Sequence, residues 1–199
     1  MKLRAGTRKS PLAMEQTYIV LDMIKAKFPE VDTEIVTFTT KGDRQLDRPL
    51  DKIGGKGVFV TEIEQALQSG KIDFAVHSAK DLPVALGEGL EISGVCPRGN
   101  YRDMLVTKKG VAFGVSDVFT VGTGSQRRRG GFARLYPNAQ FADIRGNVGT
   151  RLKKLSEGLY DGIILCAAGT ERLGLSLSEY EVKEFEPWEL LPSSSRDCC

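Results

Sequence analysis

Histidine is almost missing from this chain, with His77 the only one among 199 residues, and none of the four cysteines (Cys96, Cys166, Cys198, Cys199) has CxxC spacing. A structural zinc site draws about four ligands from these residue types, so the sequence argues against one. Cys96 and Cys166 end or follow apolar runs, which predicts two buried thiols. Long hydrophobic runs are absent too, so no segment approaches a membrane span. The first residues, MKLRAGTRKSPLAM, lack the apolar core and small-residue cleavage pattern of a secretion signal, and a cytoplasmic location is expected. The net charge of +2 is too small for a general nucleic-acid binder. Hydrophobic content of 41% and charged content of 27% are those of a globular protein, with material for one large domain or two small ones.

Positive charge is instead gathered locally. Thr120 to Arg151 reads TVGTGSQRRRGGFARLYPNAQFADIRGNVGTR. A β-favouring run, Val118 to Val121, enters a Gly-Thr-Gly-Ser turn, and Ser125 is placed to cap the helix that follows. Arg127, Arg128 and Arg129 then occupy the first turn, where cations oppose the helix dipole. An anion held at that helix start would account for them, because free N–H groups and guanidinium forks converge there. Arg134, Arg145 and Arg151 add to the region, in which Asp143 is the only acid. Arginine throughout, without lysine, suits planar two-pronged recognition of oxyanions. A weaker reading takes Gln126 to Gly131 as an RNA-binding patch, and the scarcity of nearby aromatics on which bases could stack counts against it.

Elsewhere the chain alternates strand and helix signals. Leu3 to Ala5 reads as a strand and Gly6 to Lys9 as a turn, with Ser10 and Pro11 as cap and first-turn proline of a helix that Pro29 ends. Leu12, Ile19, Val20, Met23, Ile24 and Phe28 recur in it at helical spacing. Thr33 to Thr40 reads as a strand. Residues 41–57, polar and glycine-rich, read as a mobile loop near a site, with Lys56 between glycines. A helix from about Val58 to Ser69 follows, with Thr61 and Glu64 at capping-box spacing and Gly70 as its stop. Ile72 to Val76 reads as a buried strand that delivers His77, Ser78, Lys80 and Asp81 at its carboxyl end, where α/β proteins place ligand contacts. Strands at Leu90–Val95, Met104–Thr107 and Gly162–Ala167, a helix over Thr150–Leu159, and frayed coil from Pro187 complete the reading.

Three landmarks occur twice in the same order. They are strand-Gly-Thr before a serine-started helix (Gly6-Thr7 with Ser10, Gly122-Thr123 with Ser125), basic-Gly-Asp/Asn (Lys41-Gly42-Asp43, Arg145-Gly146-Asn147), and Gly-x-x-Asp before an apolar strand (Gly70 to Asp73, Gly158 to Asp161). The repeat predicts two similar α/β lobes with a ligand cleft between them, the chain crossing near residues 96 to 103 and again near 185 to 192.

On these residues the chain resembles hydroxymethylbilane synthase, also called porphobilinogen deaminase. The motifs that carry the resemblance are GTRKSPLA (6–13), TKGDR (40–44), GGKGVFVTEIE (54–64), AVHSAKDLP (75–83), VGTGSQRR (121–128), RGNVGTRL (145–152), YDGIILCAAGTERLG (160–174) and LLP (190–192). It implies an α/β fold of two periplasmic-binding-protein-like (type II) lobes, residues 1–97 plus 188–199 forming the first and 98–187 the second. The implied activity belongs to heme, porphyrin and tetrapyrrole biosynthesis, a transferase joining porphobilinogen units into a linear tetrapyrrole with release of ammonia. Each pyrrole carries an acetate and a propionate, which matches the gathered arginines. Carried over residue by residue, Asp81 is the catalytic carboxylate, accepting pyrrole N–H bonds and stabilising the azafulvene-like cation of each deamination. Lys80, Thr123, Ser125, Arg127, Arg128 and Arg145 hold a dipyrromethane primer, and Arg8, Ser10, Lys56, Arg151 and Arg172 take the substrate or growing chain.

Two departures from the family pattern stand out. Gly124 occupies a position where the family usually has serine. The sequence also stops just after LLP, ahead of the third domain whose cysteine tethers the primer, and neither Cys198 nor Cys199 is marked as a replacement. Loss of that domain is therefore expected to cripple turnover. The alternative function is a non-catalytic binding protein for a tetrapyrrole or other polycarboxylate. No metal, nucleic acid or membrane partner is implied, and the sequence does not determine an oligomeric state.

Overall fold

Two strands with opposite neighbours on either side organise the chain, one in each of two compact units. The computed structural model describes residues 1–44 and 60–192. The contacts divide them at Gly99/Asn100. In the first unit β1 (Lys2–Arg8) lies between β2 (Asp32–Phe38) and β3 (Phe74–Ala75), all parallel, giving the order β2-β1-β3. Helix α1 (Pro11–Lys27) connects β1 to β2, a single turn α2 (Lys41–Arg44) follows β2, and α3 (Thr61–Gln68) precedes β3. Ile63, Ala66 and Ile72 form the buried centre of this unit, with Val36, Phe38 and Ala75 against it.

The second unit repeats this pattern inside a larger sheet. Its strands are β4 (Asp103–Lys108), β5 (Thr120–Gly122), β6 (Gln140–Ala142), β7 (Gly162–Cys166) and β8 (Tyr180–Glu184), in the order β6-β5-β7-β4-β8. The β6-β5-β7 part is parallel and matches β2-β1-β3, while β4 runs antiparallel to both β7 and β8. Helices α4 (Gln126–Leu135), α5 (Val148–Ser156) and α6 (Ala167–Arg172) follow β5, β6 and β7. One side of the sheet buries an aromatic group of Phe119, Phe132, Tyr136 and Phe185, and the other buries Met104, Ile144, Leu155 and Ile163.

The repeat is physical as well as sequential. In the first unit the Asp73 carboxylate accepts the backbone N–H of Arg4 at 2.7 Å, and the Asp73 N–H donates to the Arg4 carbonyl at 2.9 Å. In the second unit Asp161 makes the same exchange with Thr120, at 2.7 and 3.0 Å. Each aspartate ends a tight turn whose glycine, Gly70 or Gly158, has φ of +67° or +79°, the left-handed region that glycine enters without strain. Behind each lock the central strand carries a glycine against the residue before the aspartate. A Cβ on Gly6 would lie 2.2 Å from Ile72 Cδ1, and one on Gly122 would lie 2.9 Å from Tyr160 Cδ1.

Local signals decided most elements, and tertiary pairing overrode several. Ser10 caps α1 through the Ala13 N–H with Pro11 in the first turn, as expected. Gly6 to Arg8, expected as a turn, continue β1 because β2 provides partners for all three residues. The expected capping box is not used: Val60, fully buried, is the N-cap of α3 and makes no side-chain cap bond. Leu90–Val95 forms no strand, and Ile92 and Val95 are exposed, with no strand edge beside them among the described residues. Strand β6 precedes the Arg145-Gly146-Asn147 turn as the repeat requires, and β8 is a strand the sequence reading lacks. Of the apolar residues at helical spacing in α1, Ile19, Met23 and Phe28 are exposed, while Gln16, Thr17 and Leu21 are buried. Cys96 and Cys166 are half-buried thiols, not buried ones. The stretch from Pro187, expected as frayed coil, is anchored at Leu190, which is buried against Gly131. Lys56, Cys198 and Cys199 lie outside the described residues.

The glycine contacts differ in what can yield. At Gly6 the neighbour is the end of a flexible isoleucine, whereas at Gly122 it is the edge of a tyrosine ring with Ile163 Cγ2 at 3.1 Å. Gly122→Ala is expected to cost roughly 1–3 kcal/mol by overpacking and Gly6→Ala less, as measured by denaturant unfolding of both variants.

Candidate functional site

In the first unit the candidate residues assemble where β1 and β3 end. Arg8 closes β1, and its guanidinium reaches Asp43 on α2 through Nε (3.2 Å to Oδ2) and through Nη2 to Oδ1. Its Nη1 lies 3.6 Å from Asp81 Oδ2, so one arginine bridges two carboxylates. Asp43 is fixed from its other side by the Thr40 hydroxyl at 2.7 Å and the Thr40 N–H at 3.1 Å. Burial acts to raise the Asp43 pKa, but the bonds from Arg8 and Thr40 outweigh it and bring the carboxyl below its ordinary value. Asp81 sits in a single 3-10 turn, Ala79–Asp81, that follows β3. The adjoining Ser78 exchanges hydrogen bonds with the buried Gln16 of α1 at 3.0 and 3.1 Å.

Ser10 and Lys80 occupy different settings. The Ser10 hydroxyl oxygen caps α1 at 3.3 Å from the Ala13 N–H, leaving its own hydrogen to donate. Lys80 is exposed beside Asp81 and makes no hydrogen bond or ion pair among the described residues.

In the second unit Thr123 and Ser125 shape the turn between β5 and α4. Buried Thr123 accepts the Ser125 N–H on its hydroxyl at 3.2 Å, and Ser125 caps α4 through the Arg128 N–H at 3.4 Å. A Cβ on Gly124 would meet only the Ile144 carbonyl, at an ordinary 3.7 Å, so a side chain fits there. The three first-turn arginines do not lack internal anions. Arg128 grips Oδ1 of Asp103 with Nε at 3.0 Å and Nη2 at 2.8 Å, and its Nη1 donates to the Ile164 carbonyl at 3.2 Å. Arg127 Nη1 forms an ion pair with Asp103 Oδ2 at 2.8 Å and donates to the Leu191 carbonyl at 2.6 Å. Arg129 turns to Asp143 and to the Thr123 carbonyl.

Arg145 and Arg151 flank the start of α5, whose N-cap Asn147 accepts the Thr150 N–H at 2.8 Å. Arg151 donates through Nε to the Gly146 carbonyl at 2.9 Å. Burial first, then the charges of Arg128 and Arg145, pull the Arg151 guanidinium down to about 10. It stays a cation at neutral pH while crowded by two others, an arrangement that a bound anion relieves. Arg172 ends α6, and no hydrogen bond or ion pair joins it to this cluster among the described residues. Lys56 is outside them.

Asp43, Asp103, Gln16 and Asn147 went unrecognised as site residues in the sequence. Asp103 had one usable signal, an acid heading the apolar run Met104–Val106, where burial demands a cationic partner.

Comparison with known proteins bears directly on this arrangement. Residues 3–196 match the family model described as "Porphobilinogen deaminase, dipyromethane cofactor binding domain". The chain belongs to the porphobilinogen deaminase family. Curated porphobilinogen deaminases from Brevibacillus brevis, Roseiflexus sp. and Streptococcus sanguinis are 45%, 46% and 43% identical over 95%, 94% and 98% of this chain. The chain spans 60%, 62% and 64% of their lengths. The matching model is that of the family's dipyrromethane cofactor binding domain. Among solved structures, the LysR family transcriptional regulator HinK from Pseudomonas aeruginosa matches at a TM-score of 0.54 and 14% identity, over 99% of this chain and 61% of that one. That likeness concerns the fold alone, an α/β chain whose contacts divide it into two compact units, each with its own sheet. The deaminase family's dipyrromethane fits the donor set present, since crowded guanidiniums suit a group bearing several carboxylates. No helix among the described residues is long and apolar enough to cross a membrane.

His77 gives the first unit a pH signature. Burial and then the Arg8 charge pull its imidazole down to about 4 from an ordinary 6.5. Between those values the unfolded chain binds a proton that the folded chain refuses, so stability falls as pH drops from 6.5 towards 4. The expected loss is on the order of 2 kcal/mol. It is read as the difference between parent and His77→Gln unfolding curves at pH 7.5 and pH 4.5, because the carboxylates titrate alike in both.

Proposed function

We propose that this chain carries the cofactor- and substrate-binding machinery of a porphobilinogen deaminase, the transferase that joins porphobilinogen units and releases ammonia. The observation that supports this most is the crowding of Arg128, Arg145 and Arg151, a standing positive charge suited to the acetates and propionates of pyrroles. When bound, the dipyrromethane supplies the pyrrole to which the first substrate unit is added. Arg127, Arg128 and Arg145 bind its carboxylates, Thr123 and Ser125 hold the turn that presents them, and Lys80 adds a further cation. Arg8, Ser10, Arg151 and Arg172 receive the acetate and propionate of incoming substrate, and Lys56 belongs to the same reading. Asp81 is the catalytic carboxylate. It accepts pyrrole N–H bonds and offsets the positive charge that develops as ammonia leaves the aminomethyl carbon. Arg8 orients it while Asp43 holds Arg8. A cytoplasmic location goes with this reading.

Three measurements test the reading: intact mass for attached dipyrromethane, porphobilinogen consumption, and calorimetric binding of free dipyrromethane bearing acetate and propionate on each ring. Arg151→Ala is expected to weaken binding roughly tenfold or more, the loss of a charge-assisted contact. Asp81→Ala is expected to leave dipyrromethane binding in place while lowering consumption by about 100-fold or more. A parent chain that neither binds dipyrromethane nor consumes porphobilinogen overturns the proposal.

A further inference from the structure

Asp103 opens β4 in a rigid setting. Its backbone pairs with Cys166 of β7, its carbonyl accepts the Phe185 N–H at 2.9 Å, and only 3% of its surface is exposed. Both carboxylate oxygens point at arginines, Oδ1 taking two bonds from Arg128 and Oδ2 facing Arg127 Nη1. The Oδ2 contact is an ion pair without the alignment of a hydrogen bond. The bonds to Asp103 and the Ile164 carbonyl use three of the five N–H groups of Arg128, one from each of its nitrogens. One acid thus holds two guanidiniums that follow each other in the first turn of α4, a turn that offers them no carboxylate of its own.

We propose that Asp103 is a positioning residue, fixing the Arg127 and Arg128 guanidiniums in the orientation that recognises a dipyrromethane polycarboxylate. This rests on the reading of the arginine cluster given above. The assignment follows from charge and geometry together. Asp103 serves two arginines, and the charges of Arg128 and Arg145 both bear on Arg151, so positive charge gathers in the same neighbourhood. What Asp103 adds is direction, removing rotamer freedom that a flexible arginine otherwise loses on binding. Its removal therefore acts in opposite senses on two kinds of anion. A small, shape-indifferent anion meets more positive charge, whereas a ligand of fixed carboxylate spacing meets misaligned forks.

The test compares sulfate and free dipyrromethane, the latter with acetate and propionate on each ring, by calorimetry on the parent chain, Asp103→Asn and Asp103→Glu. Asp103→Asn is expected to lower dipyrromethane affinity roughly tenfold while sulfate affinity holds or rises. Should Asp103→Asn not fold, Asp103→Glu keeps the charge but displaces both forks, and is expected to show the same loss of the dipyrromethane-to-sulfate ratio. A purely structural role lowers both affinities together with the melting temperature, and that result overturns the proposal. An unchanged ratio in a folded variant overturns it as well. A parent chain that binds no dipyrromethane overturns the ligand reading itself, and the positioning role with it; parental binding with unchanged ratios rejects the positioning role alone.

Discussion

The exchange of two hydrogen bonds between an aspartate and the strand beside it fixes the parallel strands of both sheets. Asp73 takes the Arg4 N–H onto its carboxylate and returns its own N–H to the Arg4 carbonyl; Asp161 does this with Thr120. Each lock fixes where the third strand enters, because a side-chain acceptor and a backbone donor from one residue leave a single register. That register brings Ile72 and Tyr160 against Gly6 and Gly122, at spacings that leave no room for a Cβ. It also sets the carboxyl ends of the central strands, and the candidate residues hang from those ends. Arg8 closes β1, and Thr123 and Ser125 follow β5. A shift of one residue would turn every side chain of the strand to the other face.

Charge balance is arranged differently in the two units. In the first, one arginine lies between two carboxylates, Asp43 and Asp81, and Asp43 holds the closer contact. In the second, one buried carboxylate lies between two arginines, with Arg145 and Arg151 close by. The same guanidinium–carboxylate chemistry therefore gathers acids around a cation in one case and cations around an acid in the other. A carboxylate that accepts N–H bonds from a pyrrole and cations that accept its acids are complementary demands of one substrate class.

Legibility in the sequence followed the range of the interaction. Caps at Ser10 and Ser125, the glycine stop at Gly70 and the strand Gly162–Cys166 depend on neighbours a few residues away, and each was readable. The repeat was readable too, since Gly-x-x-Asp marks a turn and a lock together. Misreadings came where a distant strand decides. Gly6 to Arg8 carry turn residues but pair along β2, and Leu90–Val95 has strand composition but no edge to join. The arginine cluster was visible as a surplus of charge, with Asp143 taken for its only acid. Asp103 was hidden because β4 and α4 lie apart in sequence and meet only through the antiparallel insertion of β4 next to β7. Sequence spacing reports a helix face well, but it cannot report which strand comes to lie beneath that face.

Stability is a poor reason to keep such an arrangement. Taking a carboxylate out of water carries a desolvation cost of several kcal/mol that its partners do little more than offset, and apolar replacements of similar volume often do as well or better. The two arginines likewise gain nothing from the helix they begin, whose dipole they oppose. An acid and two cations that are each unfavourable alone become consistent when the group they serve is an anion of defined shape. The acid limits how far the guanidiniums swing, and the excess of cations leaves the site positive. On the role proposed for Asp103, recognition of such an anion is the constraint that all three residues satisfy together.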